Sequence, residues 1–556
     1  MTLPANKTKI YLAGIMGSGK SSAGKILAAR LGWTFLDADL IIENHAGKSI
    51  PAIFASEGEE QFRELESRVV RRLASAQRAV IALGGGALER EDNREAILQN
   101  GLLVWLNVSP EVAAKRLIHS ENRPLLSEVD SEQEIHEKLN SIFQDREDNY
   151  RTAHLTLDLT GESPASIAQS IIDRAEIDRG PRDLWEVNTC AMEGVAPYPV
   201  YIDEGVLASV PELFPKEQLS KHAVIITDRN VDALYKDQIV RGLTEKGFMP
   251  HVRIIRSGEA SKSMRVLGEL YNEFSEAGLD RKSPVFALGG GVVGDLAGFF
   301  AASYLRGIPL VHIPTTLLAQ VDSSIGGKVG VNLEAGKNLV GAFYNPILIC
   351  MDINTLSSLP DREWNTGMGE VIKYGFIGNG EILDILHGGF DAVSENLHRV
   401  VRLSVEEKLR IVNEDFKEGG IRRFLNFGHT LGHALEKITE YRVLNHGEAV
   451  YYGMLAALFI SAEQGLLSRS KFESALKLMD TLQFDLPLVE GNAEDLYSAI
   501  FYDKKKIRDT VHWVLLKDFG HPVISSEVRK EVVMEAIQFA WDFIYEINIE
   551  TTNEHE

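Results

Sequence analysis

Short apolar runs alternate with longer amphipathic stretches through the first third of the chain. The runs at 10–13, 80–83 and 102–106 have the length of buried strands, whereas residues 57–75 repeat their apolar positions with the period of a helix. Strands and helices that alternate in this way build a parallel sheet covered by helices. We therefore predict an α/β domain with a parallel sheet in this part of the chain.

The apolar pattern then lapses and resumes with a different character. At 176–186 charged residues surround Gly180-Pro181, a strong chain breaker, and this stretch is predicted to be a linker. Strand-like runs return after it, and beyond about residue 360 long helical periods replace them. The strand-like runs lie at 223–227, 285–288 and 310–313, and the helical periods at 395–413 and 448–465.

These changes divide the 556 residues into several folding units, as expected for a chain too long for one hydrophobic core. The predicted divisions are an α/β domain at 1–175, a linker at 176–186, a second α/β domain at 187–360 and a mainly helical domain at 361–556. Because the linker is short and polar, we expect the two halves that it joins to fold and work separately.

Composition and charge narrow the possible functions. The net charge of −22 argues against a nucleic-acid partner, since phosphate backbones are bound by clustered Lys and Arg. No run of 18 apolar residues occurs, so the sequence predicts no membrane span. The two cysteines, Cys190 and Cys350, cannot form a disulfide framework in a chain of this size, and this favours the reducing cytoplasm.

A glycine-rich motif follows the first predicted strand. Residues 14–21 read G-x-x-x-x-G-K-S and precede a predicted helix at 21–31. In this context the glycines let backbone N–H groups surround phosphates, Lys20 reaches the outer phosphates and the Ser21 hydroxyl ligates Mg²⁺. The motif predicts a nucleoside triphosphate site. ATPases, GTPases and small-molecule kinases all share this motif.

Further motifs follow in a fixed order. Asp-Ala-Asp at 37–39, the stretch 58–66, a triple glycine at 84–86 and Arg-Pro-Leu-Leu at 123–126 resemble the shikimate kinase family in order and spacing. The resemblance covers nearly all of residues 8–175. It implies ATP- and Mg²⁺-dependent phosphorylation of shikimate to shikimate 3-phosphate. Ser22 stands where the family usually has threonine, a change that leaves the neighbouring Mg²⁺-binding hydroxyl in place.

The resemblance assigns roles to individual residues. Asp37 would help Ser21 to hold Mg²⁺, and Asp39 would orient or deprotonate the attacked hydroxyl. Arg63 and Arg146 would clamp the shikimate carboxylate with their guanidinium groups, and Arg123 would close over the nucleotide. The implied ATP-binding residues are Gly17, Ser18, Gly19, Lys20, Ser21, Ser22 and Arg123, and the implied shikimate-binding residues are Asp39, Arg63, Gly85, Gly86 and Arg146. Taken alone, Asp-x-Asp also fits a plain turn, and Arg146 also fits a solvated helix face.

The second half also has a glycine loop after a predicted strand. Residues 289–294 contain a formal G-x-G-x-x-G, but no acidic residue lies between Asp295 and Asp322, where a ribose-binding acid is expected. An ordinary dinucleotide-binding fold therefore does not fit in detail. Asp228, after the strand-like run at 223–227, is the better ribose candidate, although it also fits an Asx turn.

Carboxylate and imidazole groups cluster in the predicted helical region. Glu370 and Lys373 are one helical turn apart, and His429 and His433 are four residues apart, with His446 following. A carboxylate with imidazoles and room for substrate is what a catalytic Zn²⁺ site requires. The spacing favours His429 and His433 as joint ligands, and the competing interpretation is that single histidines serve the structure.

A long ordered set of motifs in this half resembles the 3-dehydroquinate synthase family from about residue 195 to residue 520. The set comprises 257–262, the glycine loop through Asp295, 304–307, 314–328, 336–339, the Glu370 helix, 422–433, 446–448 and 503–505. The resemblance implies NAD- and metal-dependent cyclisation of 3-deoxy-D-arabino-heptulosonate 7-phosphate to 3-dehydroquinate with release of phosphate. Gly369 and Val329 depart from the usual alanine and threonine of the family.

The family assigns Zn²⁺ or Co²⁺ to Glu370, His429 and His446 and leaves His433 for proton transfer, and we follow it over the spacing argument. Lys328, Lys373 and Lys408 would be catalytic as well. The implied NAD-binding residues are Asp228, Asn230, Glu259, Lys262, Gly290, Gly291, Asp295, Thr315, Thr316, Asp322, Lys328 and Lys337. The implied substrate-binding residues are Lys328, Asn338, Lys373, Lys408, Arg422, Asn426, His433 and one of Lys504 and Lys505. We expect a homodimer formed through this half.

Three alternatives fit parts of the pattern. The second half also fits another sugar phosphate cyclase or a metal-dependent polyol dehydrogenase, and the whole chain also fits a non-catalytic scaffold. A phosphorylated acid as substrate is favoured by four cations, namely Lys328, Lys373, Lys408 and Arg422. A scaffold would not need the full catalytic set, which comprises Lys20, Asp39, Glu370, His429 and His446.

Overall fold

The computed structural model describes most of the chain and divides it into two compact units. The described residues are 8–118, 131–175, 177, 184–189, 197–214, 218–416, 419–440, 442–482, 484, 486–489, 491–505 and 511–554. The first unit comprises Met1–Asn188, Tyr198–Thr315 and Val329–Pro360. The second unit comprises Thr189–Pro197, Thr316–Lys328 and Asp361–Glu556.

Sixteen strands are present among the described residues. They are β1 Lys9–Ala13, β2 Thr34–Asp37, β3 Ala79–Ala82, β4 Leu102–Val108, β5 Leu155–Leu159, β6 Trp185–Asn188, β7 Pro199–Asp203, β8 His222–Asp228, β9 Met249–Ile255, β10 Val285–Gly289, β11 Leu310–Pro314, β12 Lys328–Leu333, β13 Gly336–Phe343, β14 Leu348–Asp352, β15 Trp513–Asp518 and β16 His521–Ser525.

Twenty-one α-helices accompany them in the same described part. They are α1 Lys20–Leu31, α2 Ala38–Ala46, α3 Ile50–Leu73, α4 Glu91–Asn100, α5 Pro110–Leu117, α6 Glu132–Tyr150, α7 Pro164–Ala175, α8 Val210–Leu213, α9 Arg229–Val231, α10 Asp237–Glu245, α11 Met264–Glu276, α12 Gly291–Ser303, α13 Asp361–Ile377, α14 Gly380–Leu386, α15 Gly389–Glu395, α16 Leu397–Glu414, α17 His429–Ile438, α18 His446–Glu463, α19 Arg469–Thr481, α20 Ala493–Lys505 and α21 Lys530–Glu554.

The first sheet is parallel and has the strand order β2-β3-β1-β4-β5. Every residue of β1 and β3 is buried, because helices cover both faces of a parallel sheet. The predicted strands and the parallel arrangement in this region are therefore confirmed. The predicted helix at 57–75 is the second part of α3, which kinks at Gly58, where φ is +87°.

The second sheet has seven strands in the order β6-β7-β14-β11-β10-β8-β9. All neighbouring pairs are parallel except β6 and β7. The three strand-like runs predicted in this region correspond to β8, β10 and β11, so the second α/β region is confirmed. In both sheets the loops that follow parallel strands leave from the carboxyl edge, where ligands bind in folds of this class.

The second unit is mainly helical, as predicted, and its helices approach one another closely at glycines. Gly447 lies at the start of α18 against the backbone of Thr366 in α13, and a Cβ atom at Gly369 would lie 2.5 Å from the carbonyl oxygen of Gly447. Gly453 of α18 likewise touches the backbone of Gly428, which precedes α17. These contacts bring the first residues of α17 and α18 beside the middle of α13.

Two departures from the family pattern acquire a physical explanation. Gly369 fits the close contact between α13 and α18, where a side chain would strike the backbone of Gly447. Val329 is buried in β12 and packs against Gly298 of α12. Its side chain therefore serves packing.

Within the described residues, no helix combines the length and the hydropathy that crossing a membrane requires.

A substitution at the tightest helix contact should lower stability. Gly447→Ala would press a Cβ atom onto the backbone of Thr366, so we expect a destabilisation of about 1–3 kcal/mol, typical of overpacking. The measurement is the loss of helical circular dichroism on heating. Gly268→Ala in α11 is the control, because its Cβ atom would meet open space and the midpoint should stay or rise. Equal midpoints for the two variants would contradict the close-packing argument.

Candidate active sites

The phosphate-binding loop lies between β1 and α1. Gly19 adopts φ +92° at the N-terminus of α1, which leaves the helix's first N–H groups pointing at the loop. Lys20 donates hydrogen bonds from Nζ to the carbonyl oxygens of Gly14 at 2.7 Å and Ile15 at 3.1 Å. These bonds hold the ammonium group over the loop, at the place the motif assigns to phosphate.

A hydroxyl and a carboxylate meet beside this loop. The Ser21 hydroxyl donates to Oδ2 of Asp37 at 2.6 Å, and Asp37 is the last residue of β2. The other oxygen of Asp37 accepts from the backbone N–H of Asp39 at 3.2 Å and so caps α2. Two oxygen ligands on neighbouring elements suit a Mg²⁺ ion that keeps most of its coordination for water and phosphate.

The triple glycine after β3 gathers the predicted shikimate-binding residues. A Cβ atom at Gly84 would lie 2.8 Å from Oδ1 of Asp39, and one at Gly85 would lie 3.4 Å from Nη1 of Arg146. The guanidinium group of Arg63 touches Gly86 in the same way. The structure therefore brings Asp39, Arg63 and Arg146 to one glycine turn, which no single motif indicates.

Two carboxylates that the sequence argument missed hold the arginine pair. Arg63 forms ion pairs with Glu66 at 2.8 Å and Glu89 at 3.3 Å, and Arg146 also pairs with Glu89. Burial would lower the pKa of Arg63, but these carboxylates raise it. Burial raises the pKa of the Glu66 carboxyl, and Arg63 opposes that shift. Glu89 lies three residues after the triple glycine. Its closeness to that predicted site motif is the signal in the sequence that could have indicated its role.

Arg116 is a further residue that the motifs missed. It lies in the last turn of α5 and donates from Nη1 to the carbonyl oxygens of Gly17 at 3.1 Å and Ser18 at 3.5 Å. A guanidinium group on the phosphate loop is suited to the negative charge of a bound nucleotide. Arg123, assigned to a mobile cover, lies outside the described residues.

In the second sheet, the predicted NAD-binding residues of the first unit follow the carboxyl ends of parallel strands. Asp228 ends β8 and accepts hydrogen bonds from the backbone N–H groups of Asn230 at 2.8 Å and Val231 at 3.2 Å. The Asx turn weighed in the sequence argument is therefore present. Thr227 and Thr315 have buried hydroxyl oxygens with no hydrogen-bond partner among the described residues. Such unsatisfied groups at a strand edge are suited to a polar ligand.

Three further members of the predicted NAD set, Lys262, Asp295 and Glu259, make side-chain contacts in the same unit. Lys262, itself buried, forms an ion pair with Asp295 in the first turns of α12. Glu259 accepts a hydrogen bond from Asn332 at 2.7 Å. The helix α12 starts directly after Gly290, so its N-terminal N–H groups are available to an anion. The remaining members of that set in this unit, Gly291 and Lys337, lie in α12 and β13, and Asn338 of the predicted substrate set also lies in β13.

The candidate metal centre lies in the second unit. The carboxylate of Glu370 is fully buried, with His429 Nε2 at 3.5 Å and His446 Nε2 at 3.6 Å from its Oε1. That oxygen has no hydrogen-bond partner among the described residues. Ligand atoms about 2.1 Å from one tetrahedral ion lie about 3.4 Å apart, so the three side chains fit a common divalent ion.

The outer ring nitrogens of both histidines have acceptors that orient them. His429 Nδ1 lies 3.1 Å from the carbonyl oxygen of Phe427, and His446 Nδ1 lies 3.5 Å from Oε2 of Glu436. Acceptors of this kind leave Nε2 available to a metal. Glu436 was missed by the sequence argument. His433 is exposed. It groups with the carboxylate of Glu436 and with His446, whereas His429 groups with the carboxylate of Glu370 and with His446.

The electrostatics of the centre favour a cation. Burial would raise the pKa of Glu370, but Lys373 and the histidines lower it to about 2. Burial lowers the pKa of His429 to about 3. Burial would also lower the pKa of His446, but Glu370 and Glu436 raise it to about 10. The two carboxylates therefore stabilise a positive charge at His446, a charge that a divalent ion would supply there.

A cluster of buried cations surrounds Asp322 in the same unit. Lys408 donates from Nζ to Oδ1 of Asp322 at 2.6 Å, Tyr374 donates to it at 2.5 Å, and Lys373 lies 3.8 Å away. Burial would raise the pKa of Asp322, but the two lysines hold it well below its usual range. Burial lowers the pKa of Lys408. Asp322, predicted to bind NAD, thus also fixes Lys408 of the predicted substrate set, whereas Lys373 forms its closest ion pair with Glu370.

The other predicted residues of the second unit are less closely grouped. Arg422 is buried and donates to the carbonyl oxygens of Phe416 at 2.5 Å and Gly326 at 3.3 Å. Lys328 is exposed, and Thr316 accepts from the N–H of Ala319. Asn426 ends a short 3₁₀ turn before α17. Lys504 and Lys505 end α20, and their side chains lie outside the described residues.

Comparison with known proteins identifies both halves. Residues 16–176 match the family model of shikimate kinase, residues 252–366 that of the 3-dehydroquinate synthase N-terminal region and residues 367–506 that of its C-terminal region. The 3-dehydroquinate synthase of Symbiobacterium thermophilum is 44% identical over 346 residues, 60% of this chain and 96% of that protein. The one from Chlorobium chlorochromatii is 42% identical over 352 residues, with 61% and 96% covered.

Solved structures also resemble the second part of the chain. A 2-epi-5-epi-valiolone synthase from Streptomyces hygroscopicus with NAD⁺ and Zn²⁺ bound has a TM-score of 0.58 and 28% identity, over 64% of this chain and 99% of that one. A 2-deoxy-scyllo-inosose synthase complexed with carbaglucose-6-phosphate, NAD⁺ and Co²⁺ has a TM-score of 0.58 and 26% identity, with the same coverage.

The fold and the grouped residues define a chain with two different enzyme regions, one with the phosphate loop of a kinase and one with a buried carboxylate–imidazole cluster. The chain belongs to the 3-dehydroquinate synthase family through its later regions and carries a shikimate kinase region before them. It is therefore a bifunctional enzyme of the shikimate pathway, with a kinase and a lyase activity, and the family expectation from the sequence is confirmed.

Metal stoichiometry should distinguish the two histidine assignments. His446→Ala removes a group 3.6 Å from Glu370 and should lose the bound equivalent of Zn²⁺ or Co²⁺. His433→Ala should retain one equivalent, because the Glu370 group does not include it. The measurement is metal content after dialysis, by atomic emission. Loss of metal from His433→Ala with retention by His446→Ala would restore the i, i+4 assignment.

Proposed function

We propose that the kinase centre phosphorylates shikimate with ATP and Mg²⁺ through the side chains gathered at the carboxyl edge of the first sheet. The observation that carries this proposal is the convergence of the Ser21–Asp37 hydrogen bond and the glycine turn at 84–86 on neighbouring strand ends. The first supplies ligands for Mg²⁺, and the second supports a carbocyclic acid in contact with backbone. Positioning and charge stabilisation are what phosphoryl transfer requires of a protein.

Each kinase side chain then has a task. Asp39 accepts or orients the proton of the attacked hydroxyl, Lys20 stabilises charge on the transferred group, and Arg63 with Arg146 clamps the carboxylate. Glu89 holds the two guanidinium groups at a common separation until that carboxylate arrives, which is supported by its ion pairs with both. Arg123 remains the proposed cover of the nucleotide, with Arg116 beside the loop.

We further propose that the second unit holds Zn²⁺ or Co²⁺ on Glu370, His429 and His446 and that NAD⁺ binds at the carboxyl edge of the second sheet. The unsatisfied Glu370 oxygen and the unsatisfied hydroxyls of Thr227 and Thr315 support these assignments. When bound, the metal supplies Lewis acidity at an alcohol oxygen, and the nicotinamide supplies a reversible hydride acceptor.

The chain's own residues would bind and orient the heptulosonate phosphate. Lys408 is already fixed by Asp322 and Lys373 by Glu370, so they offer oriented charges to an anionic substrate at little further cost in side-chain entropy. Arg422 is suited to a second anionic group, since a planar fork matches a carboxylate or a phosphate. His433, exposed beside the buried metal ligands, is proposed to transfer the proton.

Dehydroquinate formation is favoured over the other sugar phosphate reactions. Identities of 42–44% to 3-dehydroquinate synthases exceed the 26–28% identities to the two neighbouring cyclases of known structure. A polyol dehydrogenase would have no need of the buried lysines around Asp322. A scaffold would not retain an unsatisfied carboxylate at full burial, because that arrangement is costly without a bound cation.

A homodimer through the synthase half and a cytoplasmic location are also proposed. The first rests on the family resemblance, and the second on the presence of only two cysteines in the sequence, which cannot form a disulfide framework in a chain of this size. Light scattering of the purified chain tests the dimer, with a mass near 123 kDa expected from twice the 61.7 kDa of one chain.

The kinase assignments predict a selective loss. Lys20→Ala and Asp39→Asn should reduce ATP-dependent shikimate phosphorylation by about 100-fold or more, since both groups act on the transition state. Phosphate release from the heptulosonate substrate should be unchanged. Asp92→Asn is the control, because its carboxylate makes a solvent-exposed pair with Arg71 and should leave both activities intact. Near-normal turnover by Asp39→Asn would remove that residue from proton handling.

Metal removal should separate the two activities. A chelator should abolish both, and Mg²⁺ added afterwards should restore phosphoryl transfer while cyclisation stays absent, because Ser21 and Asp37 bind an exchangeable ion. Zn²⁺ or Co²⁺ should then restore phosphate release in an NAD⁺-dependent manner. Phosphate release that returns with Mg²⁺ alone would contradict a site built from Glu370 and imidazoles.

A further inference from the structure

The kinase region and the nucleotide-binding region of the synthase share a buried interface inside the first unit. The hydroxyl of Thr34, at the start of β2, donates to Oδ2 of Asp352, the last residue of β14, at 2.7 Å. Both residues are 0% exposed. This bond joins strands of two different sheets across 318 positions of the chain.

Asp352 has a complete set of donors only when the kinase region is present. Its oxygens accept from the backbone N–H groups of Gly205 at 2.9 Å, Leu207 at 2.9 Å and Asn354 at 3.0 Å. Thr34 supplies the side-chain donor. Removing water from a carboxylate is costly unless hydrogen bonds replace it, so the kinase contact contributes to the burial of this charge.

A reciprocal amide pair lies next to it. Asn354 donates from Nδ2 to the carbonyl oxygen of Gln77 at 2.5 Å and accepts from the backbone N–H of Gln77 at 3.1 Å. Arg78, the next residue, pairs with Asp203 at 3.3 Å. The Asn354 amide thus both donates to and accepts from the backbone of Gln77, as paired residues of adjacent strands do. Such reciprocal hydrogen bonds fix the alignment of the two segments.

Helix α10 adds a second line of polar contacts. Gln238 donates to the carbonyl oxygen of Trp33 at 3.1 Å, and Arg241 donates to that of Lys25 at 3.1 Å. Lys25 itself pairs with Asp237 at 3.0 Å, although this pair is largely solvent-exposed and adds little. The apolar residues behind these contacts form one continuous buried cluster that runs from the first sheet into the second.

The same interface touches the elements that carry the kinase site. Asn44 of α2 donates to the carbonyl oxygen of Ser358 at 3.2 Å, and Arg72 of α3 donates to that of Leu359 at 2.5 Å. Helix α2 carries Asp39, and α3 carries Arg63. The segment Asp352–Leu359 therefore contacts both helices that present side chains to the glycine turn.

We propose that Asp352–Leu359 is a docking surface for the kinase region, so that the kinase and nucleotide-binding regions form one cooperative unit and the synthase segment positions the shikimate-binding helices. This reverses the expectation that the halves fold and work separately. That expectation relied on the polarity of the linker, whereas the interface is made by residues far from it in sequence.

Cleavage of the linker in the folded protein tests the docking. A protease site placed at 178–183 of the full chain is cut, and the product is passed over a sizing column at low micromolar concentration. We expect the two pieces to co-elute with shikimate phosphorylation retained. Separation into two active pieces, or precipitation of either piece on cutting, would overturn the proposal, because both mean that no stable docked complex exists.

Thr34→Val tests the buried hydrogen bond, since it keeps the shape of the side chain and leaves Asp352 with its three backbone donors. We expect the dissociation constant of the cut pieces to rise about tenfold, so that they separate at about tenfold higher protein concentration than the parent pieces. Thr152→Val is the matched control, because that hydroxyl bonds locally to the carbonyl oxygen of Asn149. Equal dissociation constants for the two variants would contradict the role of Thr34.

Kinetics of the uncut chain separate positioning from mere stability. Thr34→Val should raise the KM for shikimate several-fold while the KM for ATP stays within twofold, because the braced helices carry the shikimate-binding side chains. Thr34→Ser should restore the parent KM by returning the hydroxyl. A KM for shikimate that is unchanged in Thr34→Val, or a rise that Thr34→Ser does not reverse, would show that the segment does not position the kinase site.

Discussion

The buried carboxylate of Glu370 is the constraint around which the second unit is organised. A charge removed from water is stable only beside compensating charge, and Lys373 and His446 provide it at short range, with the neutral ring of His429 beside them. The helices that carry these groups must approach closely, which explains the backbone contacts at Gly447 and its neighbours. One oxygen of the carboxylate has no hydrogen-bond donor among the described residues, and this observation is the basis of the proposed metal site.

Both nucleotide sites follow from a different rule, the geometry of parallel sheets. Loops at the carboxyl ends of neighbouring strands meet at one edge, so residues distant in sequence become neighbours without any local preference for it. In the first sheet, Asp39 just beyond β2 meets the glycines after β3 in this way, and Asp37 at the end of β2 meets Ser21. Thr227 and Thr315 occupy the corresponding places in the second sheet, at the ends of β8 and β11.

The kinase and nucleotide-binding regions are joined by a buried interface as well as by the continuous chain. The interface around Asp352 buries polar groups that bond across it, and polar groups in such a place specify one arrangement while adding modestly to stability. The synthase segment at this interface also contacts α2 and α3 directly, and these contacts are the basis of the proposed docking.

The sequence by itself determined the parallel strands, the helical second unit, the phosphate loop and both families, because apolar periodicity and motif spacing are local properties. Spacing alone did not determine which histidines lie beside Glu370, since the i, i+4 pair of His429 and His433 fits a helix face without a metal equally well, and only the family resemblance named His446. The choice of His446 depends on how α18 packs against α13. For the same reason, the sequence did not indicate the roles of Glu89, Arg116 and Glu436 or the Thr34–Asp352 hydrogen bond. Their partners are distant in the chain, and tertiary packing alone brings them within reach.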